Sequence, residues 1–305
     1  MSDKFVKASL ATVAALSASS VAHDAAFAAD AKTVASANNN PLTITVVGGV
    51  VLSDFSQDNV FSNYSSYKLG IETDKDIGGF GSISIGRAFE TNSPFDWRIS
   101  GSITEFMAND RNEAISYYGY GYNEGLKDDS DWQHVDVEIG HTTKSGNAEL
   151  RLGLGARMTH LTRSTSFAAG VSAYALELNE RVDDKEEFFG GGPRASIEGR
   201  LGGTFALEFA ASVSALFGDQ KSSFGYGVGY SYFNYDLPAF GVSATENDWR
   251  WLTDVDASVG VNFKPSDSFS LSAGYRYEQI SNMDTIIINN DISVSGPYVK
   301  LTSKF

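Results

Sequence analysis

The sequence predicts an all-β chain closed into a transmembrane antiparallel up-and-down barrel of about ten strands. Three observations predict it. Segments of about 10–14 residues alternate apolar and polar side chains with a period of two, as in "NAELRLGLGARMTHL". The connections between them alternate between short and long, and aromatic residues gather near the segment ends.

Taken in order, the chain opens with "MSDKFVKASLATVAALSASSVAHDAAFAAD". Lys4 and Lys7 precede a small apolar run, and Ala26-Phe27-Ala28 fits an A-x-A cleavage pattern. Residues 1–28 therefore read as a signal peptide, 29–41 as a short N-terminal segment and 42–305 as the barrel domain. Past the leader no apolar run reaches the ~18 residues of a spanning helix.

The alternation then recurs. In "HVDVEIG" Val135, Val137 and Ile139 oppose His134, Asp136 and Glu138. In the stretch quoted above, Leu150, Leu152, Leu154, Ala156 and Met158 oppose Glu149, Arg151, Gly153, Gly155 and Arg157. "TFALEFAASVSALF", "WRWLTDVDASVGVNF" and "SLSAGYRYEQ" repeat the pattern, and "GPYVKLTSKF" ends it. A soluble sheet and a lipid-facing barrel both produce such alternation. Length decides for the barrel: ordinary strands run ~5–6 residues, whereas a tilted bilayer crossing needs about 9–11.

Short connections fall at 91–94, 144–146, 201–203 and 264–266, and long ones at 53–77, 107–131, 161–187, 218–248 and 283–292. Threading the chain through them gives ten strands with both ends on the periplasmic side, and an even count suits a bacterial barrel. The stretch "FAAGVSAYALEL" (167–178) would raise the count to twelve if it formed an extra hairpin. Trp97, Phe205, Phe263, Phe269 and Phe305 fall at the periplasmic edge; Phe106, Trp132, Phe217, Trp249, Trp251 and Tyr277 fall at the outer edge. These are two girdles. The five long segments together carry the whole formal charge of −15, which leaves the walls neutral. A terminal Phe305 on an alternating last strand reads as the signal for the barrel assembly machinery.

With lipid outside, the lumen face receives Arg98, Asp136, Glu138, Glu149, Arg151, Arg157, Arg194, Glu198, Arg200, Glu208, Asp254, Asp256, Arg276 and Glu278, the expected pore-lining set. Matching faces across the short turns sets Glu138 opposite Arg151, and Asp254 opposite Arg276 with Asp256 diagonal to it. Such pairs either fill the lumen or form opposed charge rows at a constriction. Ten strands lie near the closed end of the size range, while Gly153, Gly155, Ala206, Ala210, Ser212, Ser258 and Gly260 leave space.

Other chemistries find little support. The chain has no Cys, so no disulfide or thiolate metal site exists. The acidic balance argues against nucleic acid. Asp128, Asp129 and Asp131, and Asp183, Asp184, Glu186 and Glu187, lack calcium-loop spacing and read as solvated acidic faces. No metal site and no cofactor are expected. No G-x-S-x-G elbow is present, and His134 with Asp136 is one weak pair, so no catalytic residue is assigned. "FGYGVGYSYFNY" (224–235) reads as strand continuing above the membrane.

The segments "GGPRASIEGRLGGTFALEFAASVSALFG", "VDVEIGHTT" with "LRLGLGARM", "SLSAGYRYEQ" and "SGPYVKLTSKF" resemble the Legionella-type major outer-membrane-protein family. The resemblance implies a pore-forming barrel in the outer membrane of a Gram-negative bacterium; cysteines associated with that family are absent here. The expectation is a porin-like, narrow passive diffusion channel for small solutes and ions, cation-preferring because acidic loops concentrate cations at the mouth. The alternatives are a non-conducting structural or adhesive surface barrel, and a soluble exported sandwich. Expected partners are outer-membrane lipid and lipopolysaccharide and the barrel assembly machinery, with a homo-oligomer left open.

Overall fold

The computed structural model describes residues 41–54, 77–88, 94–106, 111–117, 120–173, 176–232, 235–281 and 292–305. The expected leader, and most of the long segments 53–77 and 283–292, lie outside the described residues. The strands are β1 (Leu42–Asp54), β2 (Ile77–Ala88), β3 (Phe95–Phe106), β4 (Arg111–Tyr117), β5 (Tyr120–Ser145), β6 (Ala148–Ala173), β7 (Leu176–Gly202), β8 (Phe205–Tyr232), β9 (Tyr235–Ser266), β10 (Phe269–Ser281) and β11 (Ile292–Lys304).

Each barrel strand pairs antiparallel with its neighbours. β1 pairs with β11 and β3 with β5, so β1–β3 and β5–β11 close a ten-stranded ring. β4 stands outside that ring, laddered only to the outer part of β5 from Arg111↔Leu126 to Tyr117↔Tyr120. The barrel count thus agrees with the sequence, and the additional strand comes from 107–131, while the described residues of 167–178 belong to β6 and β7. Leu42 and Phe305 exchange backbone hydrogen bonds of 3.1 and 2.9 Å at the barrel's lower rim.

Two of the short turns sit one to three residues later than the sequence suggests. The β5–β6 turn is Gly146-Asn147 and the β9–β10 turn is Asp267-Ser268. Gly146 adopts φ 59°, the left-handed region that costs a non-glycine residue roughly 1–2 kcal/mol, while a Cβ there would meet nothing within 4 Å. Gly146→Ala is therefore expected to lower stability by about that amount and no more, read as a shift in the urea unfolding midpoint of the lipid-embedded barrel; an unchanged midpoint would refute it. In the other turn, a 2.7 Å hydrogen bond from Lys264 holds the exposed Asp267 carboxyl below its ordinary value.

Sidedness settles the soluble alternative. Leu154 is 71 % exposed and Ile139 55 %, while Glu138 is 2 % exposed and Arg157 3 %. The apolar flank faces outward all round the ring, and the charged flank is enclosed. A water-soluble sandwich would invert this, whereas a lipid-facing barrel requires it.

Two features depart from expectation. First, β5 to β9 run 26, 26, 27, 28 and 32 residues, far beyond the ~9–11 needed to cross a bilayer. Segments expected as long loops continue the ladder instead, from Thr162↔Glu187 to Ala173↔Leu176 and from Gln220↔Asp248 to Tyr232↔Tyr235, with one bulge between Val228 and Tyr230. They form a tall wall on one side of the outer rim, and the described residues of "FGYGVGYSYFNY" are part of it.

Second, the lumen contains an apolar layer. Val51, Phe80, Phe106, Trp132, Leu161, Phe188, Leu216, Leu252, Ile280 and Ile292 come one from each barrel strand, point inward and pack together at 0–6 % exposure. Several are direct ladder partners: Trp132↔Leu161↔Phe188, Leu216↔Leu252 and Ile280↔Ile292. Phe106 and Trp132, expected in the outer girdle, belong to this layer; their rings meet edge-on at 5.8 Å. They share the face of Thr104 and His134, so strand parity turns them inward. Phe217, Trp249 and Trp251 do face outward, with Phe217 ringed by the two tryptophans at 5.3 and 5.0 Å.

Candidate functional site

Beneath the apolar layer lies a layer of interlocked charges. Arg157 on β6 grips Asp136 on β5 with two bonds, Nε–Oδ1 at 2.7 Å and Nη2–Oδ2 at 3.0 Å, and reaches Asp254 on β9 at 2.5 Å. Arg276 on β10 bonds Asp256 at 2.7 Å and Glu278 at 2.8 Å. Arg98 on β3 bonds Glu138 at 2.9 Å and also Glu198 on β7. Arg151 bonds Asp96 at 2.6 Å and also Glu138. Arg194 links the groups, 3.5 Å from Asp136 and 3.7 Å from Glu138. A separate inward pair, Lys300–Glu208 at 2.7 Å, also receives the Tyr298 hydroxyl at 3.1 Å.

Many of these bonds cross the lumen. Arg157–Asp254 joins β6 to β9 and Arg98–Glu198 joins β3 to β7, pairs that share no ladder. The hairpin pairings expected from sequence are corrected accordingly. Because both turns sit later, Arg151 lies opposite Thr142, and Arg276 opposite Ser258. Faces are preserved and partners change. Glu138 still meets Arg151, because the long guanidinium side chain spans the offset. Asp254 goes to Arg157 across the lumen, leaving Arg276 to Asp256 and Glu278. Glu149 and Arg200 sit lower, lining the periplasmic mouth.

The small residues expected to leave space do so only in part. A Cβ on Gly153 would strike the Glu138 carboxylate and Ser196, and one on Gly260 would strike the Tyr298 hydroxyl at 2.7 Å. These glycines seat long side chains. A cavity of about 210 Å³ remains, lined among others by Ser82, Ser100, Ser212, Ser258, Ala210, Asp136 and Arg98.

Sequence reasoning missed Asp96, Tyr298 and Lys300. Asp96 lies on the inward parity of Arg98, and Tyr298 and Lys300 lie on the face opposite Val299 and Leu301, so strand parity carried the signal for all three. His134 and Asp136, the weak catalytic pair, are engaged separately. Asp136 spends both oxygens on Arg157, whereas His134 Nδ1 lies 3.0 Å from Thr159 Oγ1. Glu186, expected on a solvated acidic face, is 1 % exposed and lies across the ladder from buried Arg163.

Among the described residues, seven linked carboxylates (Asp96, Asp136, Glu138, Glu198, Asp254, Asp256, Glu278) face five guanidiniums (Arg98, Arg151, Arg157, Arg194, Arg276). The layer carries two uncompensated negative charges in a confined space, where an ionised group is costly without a counter-charge.

The outer membrane protease OmpT from Escherichia coli superposes with a TM-score of 0.44 at 6 % identity, covering 87 % of this chain and 96 % of that one. Neisserial surface protein A gives 0.31 at 13 %, covering 87 % and 97 %. A major outer membrane protein from Thermus thermophilus gives 0.31 at 7 %, covering 87 % and 99 %. No curated protein matches in sequence. The family described as Legionella pneumophila major outer membrane protein precursor matches residues 97–305, which cover the chain from Trp97 on β3 to the terminal Phe305 and every member of the ion-paired layer except Asp96. The chain is an outer-membrane β-barrel of a Gram-negative bacterium, and it belongs to the Legionella major outer membrane protein family.

Proposed function

We propose that this barrel is closed to steady diffusion as it stands and works through the tall strand wall on its outer side, as a surface barrel rather than an always-open pore. The apolar layer carries this reading. A ring around open water would leave each member partly exposed, yet all ten are 0–6 % exposed. A dry apolar constriction stops ions because it offers nothing to replace their hydration. Cross-lumen ion pairs below add a second obstruction. The wall presents outward aromatics such as Tyr230, Tyr232 and Phe240 well above the bilayer, where they suit contact with another surface. Both oxygens of Asp136 are occupied by Arg157, which favours a non-catalytic role. Lipid, lipopolysaccharide and the barrel assembly machinery, through the last strand and Phe305, are the partners of this reading.

A second reading, the narrow cation-preferring channel, is favoured by the polar cavity and by the acidic excess of the lumen. One experiment separates the two. Purified full-length barrel in planar bilayers is expected to give no steady conductance under a salt gradient. Reproducible ohmic steps with a cation reversal potential would overturn the closed-barrel reading in favour of the channel. Deleting residues 219–248, the β8–β9 part of the wall, is expected to abolish cell-surface attachment while the barrel still assembles; unaltered attachment would count against the wall as the working surface.

A further inference from the structure

We propose that His134, Asp254 and Glu278 form a site for one divalent transition-metal cation of the zinc or manganese class, enclosed in the barrel just beneath the apolar layer. The site is independent of whether the lumen conducts. Each residue stands two positions below a member of that layer: His134 below Trp132, Asp254 below Leu252, Glu278 below Ile280. β5 therefore supplies the imidazole from one wall, and β9 and β10 supply the carboxylates from the other. The donor atoms lie within 4.8 Å of one another, and all three side chains are 0–1 % exposed.

The free valences point to a ligand. His134 Nε2, Asp254 Oδ1 and Glu278 Oε1 are all buried without a hydrogen bond. His134 Nε2 is 3.0 Å from Glu278 Oε1, an ion pair when the imidazole is protonated and a shared metal edge when it is not. Asp254 Oδ1 is left without a hydrogen bond beside that contact, a costly position for a buried acceptor, and a cation shared among the three atoms removes that cost.

The rest of each ligand is already held. Asp254 uses its other oxygen, Oδ2, on Arg157 at 2.5 Å, and Glu278 uses Oε2 on Arg276 at 2.8 Å. Each carboxylate is clamped through one oxygen and presents the second inward. His134 is oriented by its other nitrogen, Nδ1, which is 3.0 Å from Thr159 Oγ1 directly across the ladder. A metal on Nε2 makes Nδ1–H the donor to Thr159, the arrangement in which an outer partner fixes the ring of a ligating histidine.

Charge and donor type narrow the occupant. Two guanidiniums flank the site: Arg157 bonds Asp254 at 2.5 Å and lies 3.8 Å from Glu278 Oε1, and Arg276 bonds Glu278 at 2.8 Å, while Asp136 and Asp256 share their positive charge. The lumen's two uncompensated negative charges match one divalent ion. A nitrogen donor beside two carboxylates suits zinc or manganese better than calcium or magnesium, which take all-oxygen shells. Metal–donor bonds near 2.0–2.2 Å would draw the three donors closer together. Three protein ligands leave a fourth position open to water. The cavity below reaches Arg157 and Arg276, the residues clamping the carboxylates.

The test uses the full chain, purified without a histidine tag and assembled in chelator-treated detergent. It is dialysed against Zn²⁺ or Mn²⁺ with excess Ca²⁺ to occupy exposed carboxylates. One ion per chain is expected to remain by elemental analysis. His134→Gln is expected to lose it, Thr159→Val to weaken binding roughly 10–100-fold, and His160→Gln, on the outer face, to leave it unchanged. Heat-dependent gel migration establishes that each variant has folded. Should a variant fail to assemble, Cu²⁺ bound to the wild-type chain decides: its electron paramagnetic resonance spectrum must show coupling to one imidazole nitrogen. A wild-type barrel that retains no ion, a His134→Gln barrel that retains as much, or a Cu²⁺ spectrum without nitrogen coupling overturns the site; the first would leave His134 as a buried imidazole facing Glu278 without metal.

Discussion

Replacing Leu216 and Leu252 together by serine is expected to turn a silent barrel into a conducting one. The two are direct ladder partners on β8 and β9 and are 0 and 1 % exposed. They complete the apolar ring on the wall where β8 and β9 meet. Removing both side chains opens a gap, and two hydroxyls let water stand where it was excluded. The ion-paired layer beneath is polar and borders a cavity, so it hydrates more readily than the apolar layer. Conductance through the variant is expected to be cation-preferring, because the lumen carries an acidic excess. The cost in stability is about 2–5 kcal/mol for each large-to-small change. Val213→Ser with Val255→Ser serves as the control. These residues lie on the same two strands but face outward at 48 and 38 % exposure, and they should leave the barrel silent. The readout is single-channel current and reversal potential in planar bilayers. A double serine variant that stays silent would show that the ion pairs alone close the lumen.

The second large effect is expected at Arg157. Its guanidinium is 3 % exposed and makes three short bonds, two to Asp136 and one to Asp254. Arg157→Met keeps much of the stem but strands two carboxylates in a closed space. Breaking a buried pair from one side costs about 3–5 kcal/mol, because the remaining charge loses its partner. Chemical unfolding of the lipid-embedded barrel should show a loss of that order. Arg157→Lys should recover only part of it, since one ammonium cannot bond both Asp136 oxygens and Asp254 in a planar fork. Restoration by Asp136→Asn in the same chain is expected, because it removes one of the stranded charges. A loss below about 1 kcal/mol in Arg157→Met would place the bridge among pairs that contribute little.

The legibility of this protein differs by level. The alternation of Leu150, Leu152 and Leu154 with Arg151, Gly153 and Gly155 told which flank meets lipid, because a period of two leaves no other assignment once length has chosen the bilayer. The same parity, carried two residues further, would have turned Phe106 and Trp132 inward. Position near a strand end outweighed it, since aromatic side chains suit both a girdle and a lumen seal. The tall wall was hidden for a different reason. Above the membrane both faces of a strand meet water, so the apolar alternation that marks a crossing fades, while backbone hydrogen bonds keep the ladder going through Thr162, Gln220 and beyond.

Length, charge, parity and turn spacing by themselves determined a ten-stranded barrel, its sidedness, and the inward placement of charges such as Glu138 and Asp254. Only the closed ring decided which charge meets which, and that ten inward apolar side chains, one from each barrel strand, pack into a single layer. Sequence spacing carries information about ladder neighbours. Arg157 and Asp254, or His134 and Glu278, share no ladder and come within reach only because ten tilted strands bring opposite walls to side-chain distance.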